Sequence, residues 1–164
     1  MASLLPTIPR VIFTVLEPIS LVAGFLAPLV SSEYFIASQL VRPYSGTFDE
    51  TSKLLSWQLG NCYLLLGLLG VFILNTTTEL KTVKAYIWAL WLGDIGHVGF
   101  SVYAMGLRDT MAVGSWSATV WGNIGATVFL FLARSLYLLG VFDRKPSRGS
   151  GREHRSRKIK AKAR

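Results

Sequence analysis

Near the middle of the chain lies an apolar segment that holds two ionisable groups, Leu90-Trp91-Leu92-Gly93-Asp94-Ile95-Gly96-His97-Val98-Gly99-Phe100-Ser101. The segment is typical of the centre of a membrane-spanning helix, where an Asp costs about 2.5–3.5 kcal/mol on insertion scales and usually has a function. Positions three apart share one face of a helix. We therefore predict that Asp94 and His97 act on the same molecule, and that Ser101 lies on the same face of the helix.

Apolar blocks of similar length recur on both sides of this segment. Hydrophobic residues make up 51% of the 164 residues, and charged residues make up 16%. A helix of about 20 apolar residues is long enough to cross a bilayer. The blocks predict an all-α fold, a four-helix transmembrane bundle, in one domain over residues 1–142. The spans are expected at about 11–31, 54–74, 85–105 and 117–138.

Three features stand out within this apolar core. Glu17-Pro18 lies inside the first span, where Pro18 should kink the helix because it has no amide hydrogen. Residues 32–53 form the longest connection between spans, and they fit either an interfacial connector or a lid over the mouth of the bundle. Arg134, near the end of the fourth span, is expected to extend its charge to the interface as an anchor.

Positive charge is concentrated at the C-terminus. From Arg144 onward the chain has ten Lys and Arg residues and one acid, whereas the first 143 residues have seven basic and eight acidic residues. A basic, apolar-poor segment is typical of disorder, so residues 143–164 are predicted to be a disordered tail. The near-neutral membrane core does not resemble a folded nucleic-acid-binding domain, and we expect no nucleic-acid partner.

The placement of basic residues also predicts the orientation, because Lys and Arg favour the cytosolic side of a membrane. The basic tail is predicted to be cytosolic, and four spans then place the N-terminus on the same side. Lys160 and Lys162, the fifth and third residues from the end, resemble a dilysine retrieval signal. Such signals are addresses read by a receptor, and this one favours the endoplasmic reticulum. Chance within a Lys-rich tail is the alternative.

Each predicted span has a stripe of polar side chains that are costly to expose to lipid. We expect the stripes to line a polar cavity inside the bundle. Their main members are Glu17 on the first span, Gln58 and Asn61 on the second, Asp94, His97 and Ser101 on the third, and Asn123 on the fourth. The three amides are candidates for substrate binding or for hydrogen bonds between helices.

Other residues of the spans have more ordinary expected roles. Trp91 is a candidate wall of the cavity or a member of the aromatic belt at the membrane interface. Gly93, Gly96 and Gly99 in the third span, and Gly122 in the fourth, are expected to permit close helix packing.

The candidate catalytic residues are Asp94, His97 and Glu17. A carboxyl and an imidazole in a dry pocket can perform general acid–base catalysis, for example by protonating an epoxide oxygen or by activating water. We predict no metal and no cofactor, because the sequence has two His residues, one cysteine (Cys62), and no phosphate-binding or nucleophile motif. A purely structural pairing of Asp94 with His97 is the alternative.

Three motifs carry a resemblance to a known family: Leu5-Pro6-Thr7-Ile8-Pro9-Arg10, Glu17-Pro18, and Gly93-Asp94-Ile95-Gly96-His97. Over roughly residues 4–142 the chain resembles small fungal four-span membrane proteins. Some of these resemble hydrolases or cyclases encoded beside polyketide synthases, which open polyene-pyrone epoxides in pathways of the citreoviridin and aurovertin type. The architecture is also similar to that of fungal meroterpenoid cyclases and sterol-isomerase-like proteins.

The resemblance implies an enzyme of secondary metabolism in the endoplasmic-reticulum membrane, which opens a lipophilic epoxide with water or an internal hydroxyl. Asp94 would be its acid or base, His97 the partner of Asp94, and Glu17 a second carboxyl. The alternative is a non-catalytic protein whose polar stripes bind a membrane lipid, a sterol headgroup or another membrane subunit. A homo-oligomer and association with other pathway enzymes are compatible with both.

The predicted orientation places the sequon Asn75-Thr76-Thr77 on the cytosolic side, where N-glycosylation does not occur. Endoglycosidase treatment of the protein from a eukaryotic host should therefore leave its gel mobility unchanged. The variant Val113→Asn, which creates a sequon with Gly114 and Ser115 on the opposite side, should show a shift. A glycan at Asn75 would contradict the orientation.

Overall fold

The computed structural model describes residues 4–142, and within this range every regular element is a helix and no residue lies in a β-strand. The α-helices are, in chain order, α1 (Thr7–Val30), α2 (Ser32–Ala37), α3 (Glu50–Thr76), α4 (Leu80–Met105), α5 (Leu107–Met111) and α6 (Ala118–Leu138). The all-α prediction is confirmed. The predicted disordered tail lies outside the described residues.

Three of the four long helices, α1, α3 and α6, are long and apolar enough to cross a membrane. α4 has 26 residues but is not in this group. Its sequence is interrupted by charge, at Lys81 and Lys84 near its start and at Asp94 in its middle. Three candidate spans agree with the multi-pass membrane protein that the sequence predicts.

The helices extend beyond the predicted spans at their polar ends. α1 begins at Thr7 and α3 at Glu50, each four residues before the predicted boundary. Helical hydrogen bonding continues through polar residues that a hydropathy pattern excludes. At the start of α3 the Asp49 side chain caps the helix, because its Oδ1 accepts a hydrogen bond of 2.7 Å from the Ser52 amide. Hydrogen bonds from Ser52 keep the pKa of the exposed Asp49 carboxyl below its ordinary value.

Glu17-Pro18 does not end α1. The residues directly before it, Ile12–Leu16, form a π-helical turn, and the helix then continues to Val30. Because Pro18 has no amide hydrogen to donate one turn back, the regular hydrogen-bond ladder cannot pass this point unchanged. Where the sequence predicts a kink, the structure therefore has a local widening of the helix.

The closest helix contact joins α1 and α3 through glycines of α3. A Cβ atom on Gly60 would lie 2.9 Å from Pro28 Cγ and 3.1 Å from the Phe25 carbonyl oxygen, so only glycine fits there. The expected close packing at the glycines of α4 and at Gly122 is wrong. Among residues 4–142, a Cβ on Gly93, Gly99 or Gly122 would meet no atom within 4 Å, and one on Gly96 would meet only the Phe100 side chain at 3.9 Å.

The connection that follows α2 is held against the ends of α4 and α6. The Ser38 and Thr119 hydroxyls are 2.6 Å apart, and the Ser117 hydroxyl donates to the Ser38 carbonyl oxygen over 2.8 Å. Arg42 Nη2 donates to the carbonyl oxygen of Ala104 over 2.9 Å. These contacts fix residues 38–42 against the ends of α4 and α6.

The glycine contact between α1 and α3 predicts a difference between two substitutions of the same kind. Gly60→Ala should destabilise the protein by about 1–3 kcal/mol, because the new methyl group overpacks the α1–α3 contact. Gly99→Ala has open space and should be neutral or stabilising by up to about 1 kcal/mol through its better helix propensity. Thermal unfolding in detergent measures the stability of both variants, and equal melting temperatures would contradict the close contact of Gly60 with α1.

Candidate functional site

A buried arginine joins two acids from different helices. Arg134 Nη2, on α6, donates to Glu17 Oε1 of α1 over 2.5 Å, and Arg134 Nη1 donates to Asp94 Oδ2 of α4. The Arg134 residue is 1% exposed, and the Glu17 and Asp94 side chains are 7% and 12% exposed. These three residues, here called the Arg134 cluster, connect three of the four long helices.

The prediction that Arg134 is a surface anchor is therefore wrong. Its guanidinium turns into the bundle because α1 and α4 both present a carboxylate at its height, and an ion pair compensates the cost of burial that a lone charge would incur. The sequence held a signal for this pairing. The predicted spans contain two acids, Glu17 and Asp94, and one cation, Arg134. Counting the charges within the predicted spans would have indicated that Arg134 pairs with these two acids.

The surroundings of the cluster are apolar on one side. The Phe13 ring lies 5.8 Å from the guanidinium carbon, and the buried core beside it includes Ile87 and Tyr137. Arg134 Nε is buried and has no hydrogen-bond partner among residues 4–142. The arginine is thus fixed by its two terminal nitrogens and by packing.

Charge counting shows what this cluster can do chemically. Two carboxylates and one guanidinium carry a net charge of −1, whereas one proton on either carboxyl makes the cluster neutral. The second oxygens, Glu17 Oε2 and Asp94 Oδ1, accept no hydrogen bond from residues 4–142. The cluster can therefore present an acid and a base held on one cation, each with an oxygen free for a substrate or water.

A cavity of about 340 Å³ lies between α3, α4, α6 and the connection after α2. Its wall is mostly apolar. The polar groups on it are Gln39, Tyr63, His97, Ser101 and Asn123. A volume at the lower end of the range for ligand pockets, with few polar groups in an apolar wall, is typical of a site for a small lipophilic molecule.

The polar groups of this cavity are partly paired with each other. Asn123 Nδ2 donates to Gln39 Oε1 over 2.6 Å, and the Tyr63 hydroxyl is 3.5 Å from Asn123 Oδ1. The Ser101 hydroxyl donates to the His97 carbonyl oxygen over 2.8 Å. The His97 imidazole makes no hydrogen bond to any residue in the part of the chain that the structure describes. It is therefore the group of the cavity with free hydrogen-bonding capacity at both nitrogens.

A π-helical turn over Trp121–Ala126 carries Asn123 to this position. Such turns rotate the following part of a helix and are frequent at functional sites. In α6 the widened turn lies beside the cavity, and the regular helix that follows it carries Arg134. One helix thus contributes a residue to each of the two sites.

The structure separates the residues that the sequence grouped together. Asp94 binds Arg134, whereas His97, one turn further along α4, faces the cavity. Asn123 and Ser101 lie on the cavity wall. Trp91 does not line it: Trp91 Nε1 donates to the Ser135 hydroxyl over 2.8 Å, and the indole stacks on Phe131.

Gln58 and Asn61 are exposed on the outer surface of α3, so their expected position inside the bundle is not found. The contact of Gly60 with α1 sets the rotation of α3, and these two amides lie away from it. Sequence reasoning missed Arg134, Tyr63 and Gln39. Tyr63 and Gln39 show no periodic signal in the sequence that would have indicated their position.

No group of three or more His, Cys, Asp or Glu side chains within residues 4–142 is arranged to hold a metal ion. Cys62 is exposed on α3. The predicted absence of a metal and a cofactor stays a prediction.

The described residues define an all-helical protein with three helices able to cross a membrane, a buried ionic cluster and an adjacent cavity. The chain belongs to the family described as a domain of unknown function (DUF7704), whose model matches residues 2–144. No curated protein and no solved structure matches the chain.

The Arg134 cluster predicts a specific pattern of stability. Arg134→Met leaves the two acids without their cation, so it should lower the free energy of unfolding by about 3–5 kcal/mol. This loss should appear as a lower abundance and a lower melting temperature. Adding Glu17→Gln and Asp94→Asn to the same chain should restore part of the loss, because no buried charge is then uncompensated. The matched control, Arg108→Met on the exposed surface of α5, should change stability by no more than about 0.5 kcal/mol. Equal stability of Arg134→Met and Arg108→Met would contradict the buried pairing.

Proposed function

We propose that this chain is a four-span membrane enzyme that opens a lipophilic epoxide by acid–base chemistry at the Arg134 cluster. The observation that carries the proposal is the arrangement of two carboxyls on one buried guanidinium. Opening an epoxide needs an acid for the oxygen and a base for the nucleophile, and this cluster can supply both. The resemblance of the Glu17-Pro18 and Gly93-Asp94-Ile95-Gly96-His97 motifs to fungal epoxide-opening proteins supports the same reaction.

The proposed reaction begins with one proton on the cluster. The protonated carboxyl gives its proton to the epoxide oxygen as one carbon–oxygen bond breaks. The carboxylate takes a proton from water, or from a hydroxyl of the substrate, as the oxygen of that nucleophile forms the new carbon–oxygen bond. A diol or a hydroxylated cyclic ether leaves, and the cluster has lost one proton and gained one. Arg134 keeps its charge and holds both carboxyls in place throughout.

The cavity is proposed to bind the rest of the substrate. His97 lies one turn from Asp94, and its ring nitrogens have no partner among the described residues, so it can orient a substrate oxygen or pass a proton to Asp94. Asn123 and Tyr63 can bind a second oxygen further along the chain of the substrate. The apolar wall suits a polyene, which has few polar groups along its length.

The remaining parts of the proposal concern the membrane. We propose α4 as the fourth span, because its 26 residues reach about 39 Å at 1.5 Å per residue and its two ionisable central residues face α6 and the cavity rather than lipid. The resemblance favours fungal secondary metabolism, and the dilysine-like Lys160 and Lys162 favour the endoplasmic reticulum. The basic tail favours cytosolic termini. No cofactor takes part in the reaction.

A second candidate is a non-catalytic protein that binds a lipid or a sterol in the same cavity. The observation in its favour is that the cavity wall does not include Glu17, Asp94 or Arg134. In this candidate the cluster only joins the helices, and the polar groups of the cavity bind a headgroup.

Turnover of a lipophilic polyene epoxide by membranes in ¹⁸O-labelled water tests the proposal. Asp94→Asn and Glu17→Gln should each lower turnover per folded molecule by about 10²-fold or more, because each removes one half of the acid–base pair. Label in the product identifies water as the nucleophile, and its absence with turnover identifies an internal hydroxyl. Folded protein is measured for each variant, since loss of a partner for Arg134 also lowers abundance.

The control variant is Glu33→Gln, which changes an exposed acid at the start of α2. It should retain full turnover. If Asp94→Asn turns over the epoxide as fast as Glu33→Gln at equal amounts of folded protein, the catalytic proposal is wrong. Binding of a lipophilic ligand by the same variants would then favour the second candidate.

A further inference from the structure

The outer surface of α3 carries two amide side chains in an apolar setting. Gln58 and Asn61 are both exposed, and neither makes a side-chain hydrogen bond to any residue within 4–142. On the same helix Leu65, Leu68 and Phe72 are 54%, 43% and 60% exposed. This surface, Gln58, Asn61, Leu65, Leu68 and Phe72, is here called the α3 seam.

The position of Asn61 makes exposure to lipid costly. Lys53 and Glu50 form an ion pair and mark the charged end of α3. Asn61 follows Lys53 by eight residues, or about 12 Å along the helix axis. Gln58 is nearer that end and has a longer side chain, but the amide of Asn61 is one carbon from the backbone and cannot reach the interface. In hydrocarbon an unpaired amide has no water to bind, so a partner is required.

We infer that the α3 seam is a dimer interface and that its partner is a second copy of this chain. The seam positions 58, 61, 65, 68 and 72 are separated alternately by three and four residues, which is the spacing of the contact positions in a pair of packed helices. In a twofold pair, residues near the axis meet their own copies. An amide both donates and accepts hydrogen bonds, so Gln58 and Asn61 are complementary to themselves.

The rest of the bundle leaves this surface open for such a pair. The opposite side of α3 is occupied by α1, through Gly60 on Pro28 and Gly67 on Leu21. Two copies can therefore meet along α3 without displacing any helix. The inference rests on α3 lying in a membrane, and it is independent of the chemistry proposed for the Arg134 cluster.

Cys62 provides the test, because it is the only cysteine of the 164 residues and is exposed beside Asn61. A short bis-maleimide reagent applied to membranes containing the full-length chain should yield an adduct of twice the 18.1 kDa chain mass. In the control, Cys62→Ser with Val128→Cys, the cysteine moves to an exposed position on α6 and no dimer adduct should form. No adduct through Cys62, or an adduct with a different protein in its place, would overturn the inference.

Variants of the amides then test the interface itself. Gln58→Leu with Asn61→Leu should weaken association roughly tenfold or more at equal expression, because each dimer loses four interhelical amide side chains. The exchanged pair, Gln58→Asn with Asn61→Gln, keeps the amides and should retain the adduct. Monodisperse behaviour in detergent verifies that each variant is folded. An undiminished adduct in the leucine variant would show that the amides do not hold the copies together.

Discussion

The structure depends on one constraint: two acids on different helices share one buried cation on a third helix. Arg134 meets this constraint by giving one terminal nitrogen to Glu17 and the other to Asp94. Breaking such a buried pair by removal of one partner costs far more than replacing the whole set with apolar residues. The three residues therefore bind α1, α4 and α6 into one arrangement, and none of them can change alone without penalty.

Two different kinds of contact hold the helices together. α1 and α3 meet through glycines, where backbone approaches side chain closely, as at Gly60 and Pro28. The contacts of α4 with α6 include polar ones, from the Arg134 cluster to the bond between Trp91 and Ser135. The cavity lies between α3, α4 and α6, where the helices are held neither by glycine contacts nor by the ion pairs of the Arg134 cluster. In that cavity the His97 imidazole makes no hydrogen bond to any of residues 4–142.

The same cluster that holds the helices is also the group proposed to react, and this has a physical consequence. In the proposed reaction one carboxyl is protonated and acts as the acid, while the other is ionised and acts as the base. The two must lie close together and yet carry different charges. The shared guanidinium provides both conditions, because its two nitrogens fix the distance between the acids while its single charge neutralises only one of them. In the proposed reaction Glu17 and Asp94 would therefore have a structural role and a chemical role together. The polar surface at Gln58 and Asn61 belongs to neither role, which is why it points to contact with another chain.

The sequence alone determined that the chain is helical, roughly where its long helices lie, and that the acids Glu17 and Asp94 lie within apolar segments, because apolar block length and isolated charges are local properties. It also indicated Asn123 and Ser101 as cavity residues. Only the tertiary structure decided what each polar group meets. Asp94 pairs with a residue 40 positions away and not with His97 three positions away, and Gln58 and Asn61 face outward. The reason is that contacts with other helices, such as Gly60 on Pro28, set the rotation of each helix about its axis. Periodicity along one helix shows which residues share a face, but it does not show which neighbouring helix that face meets.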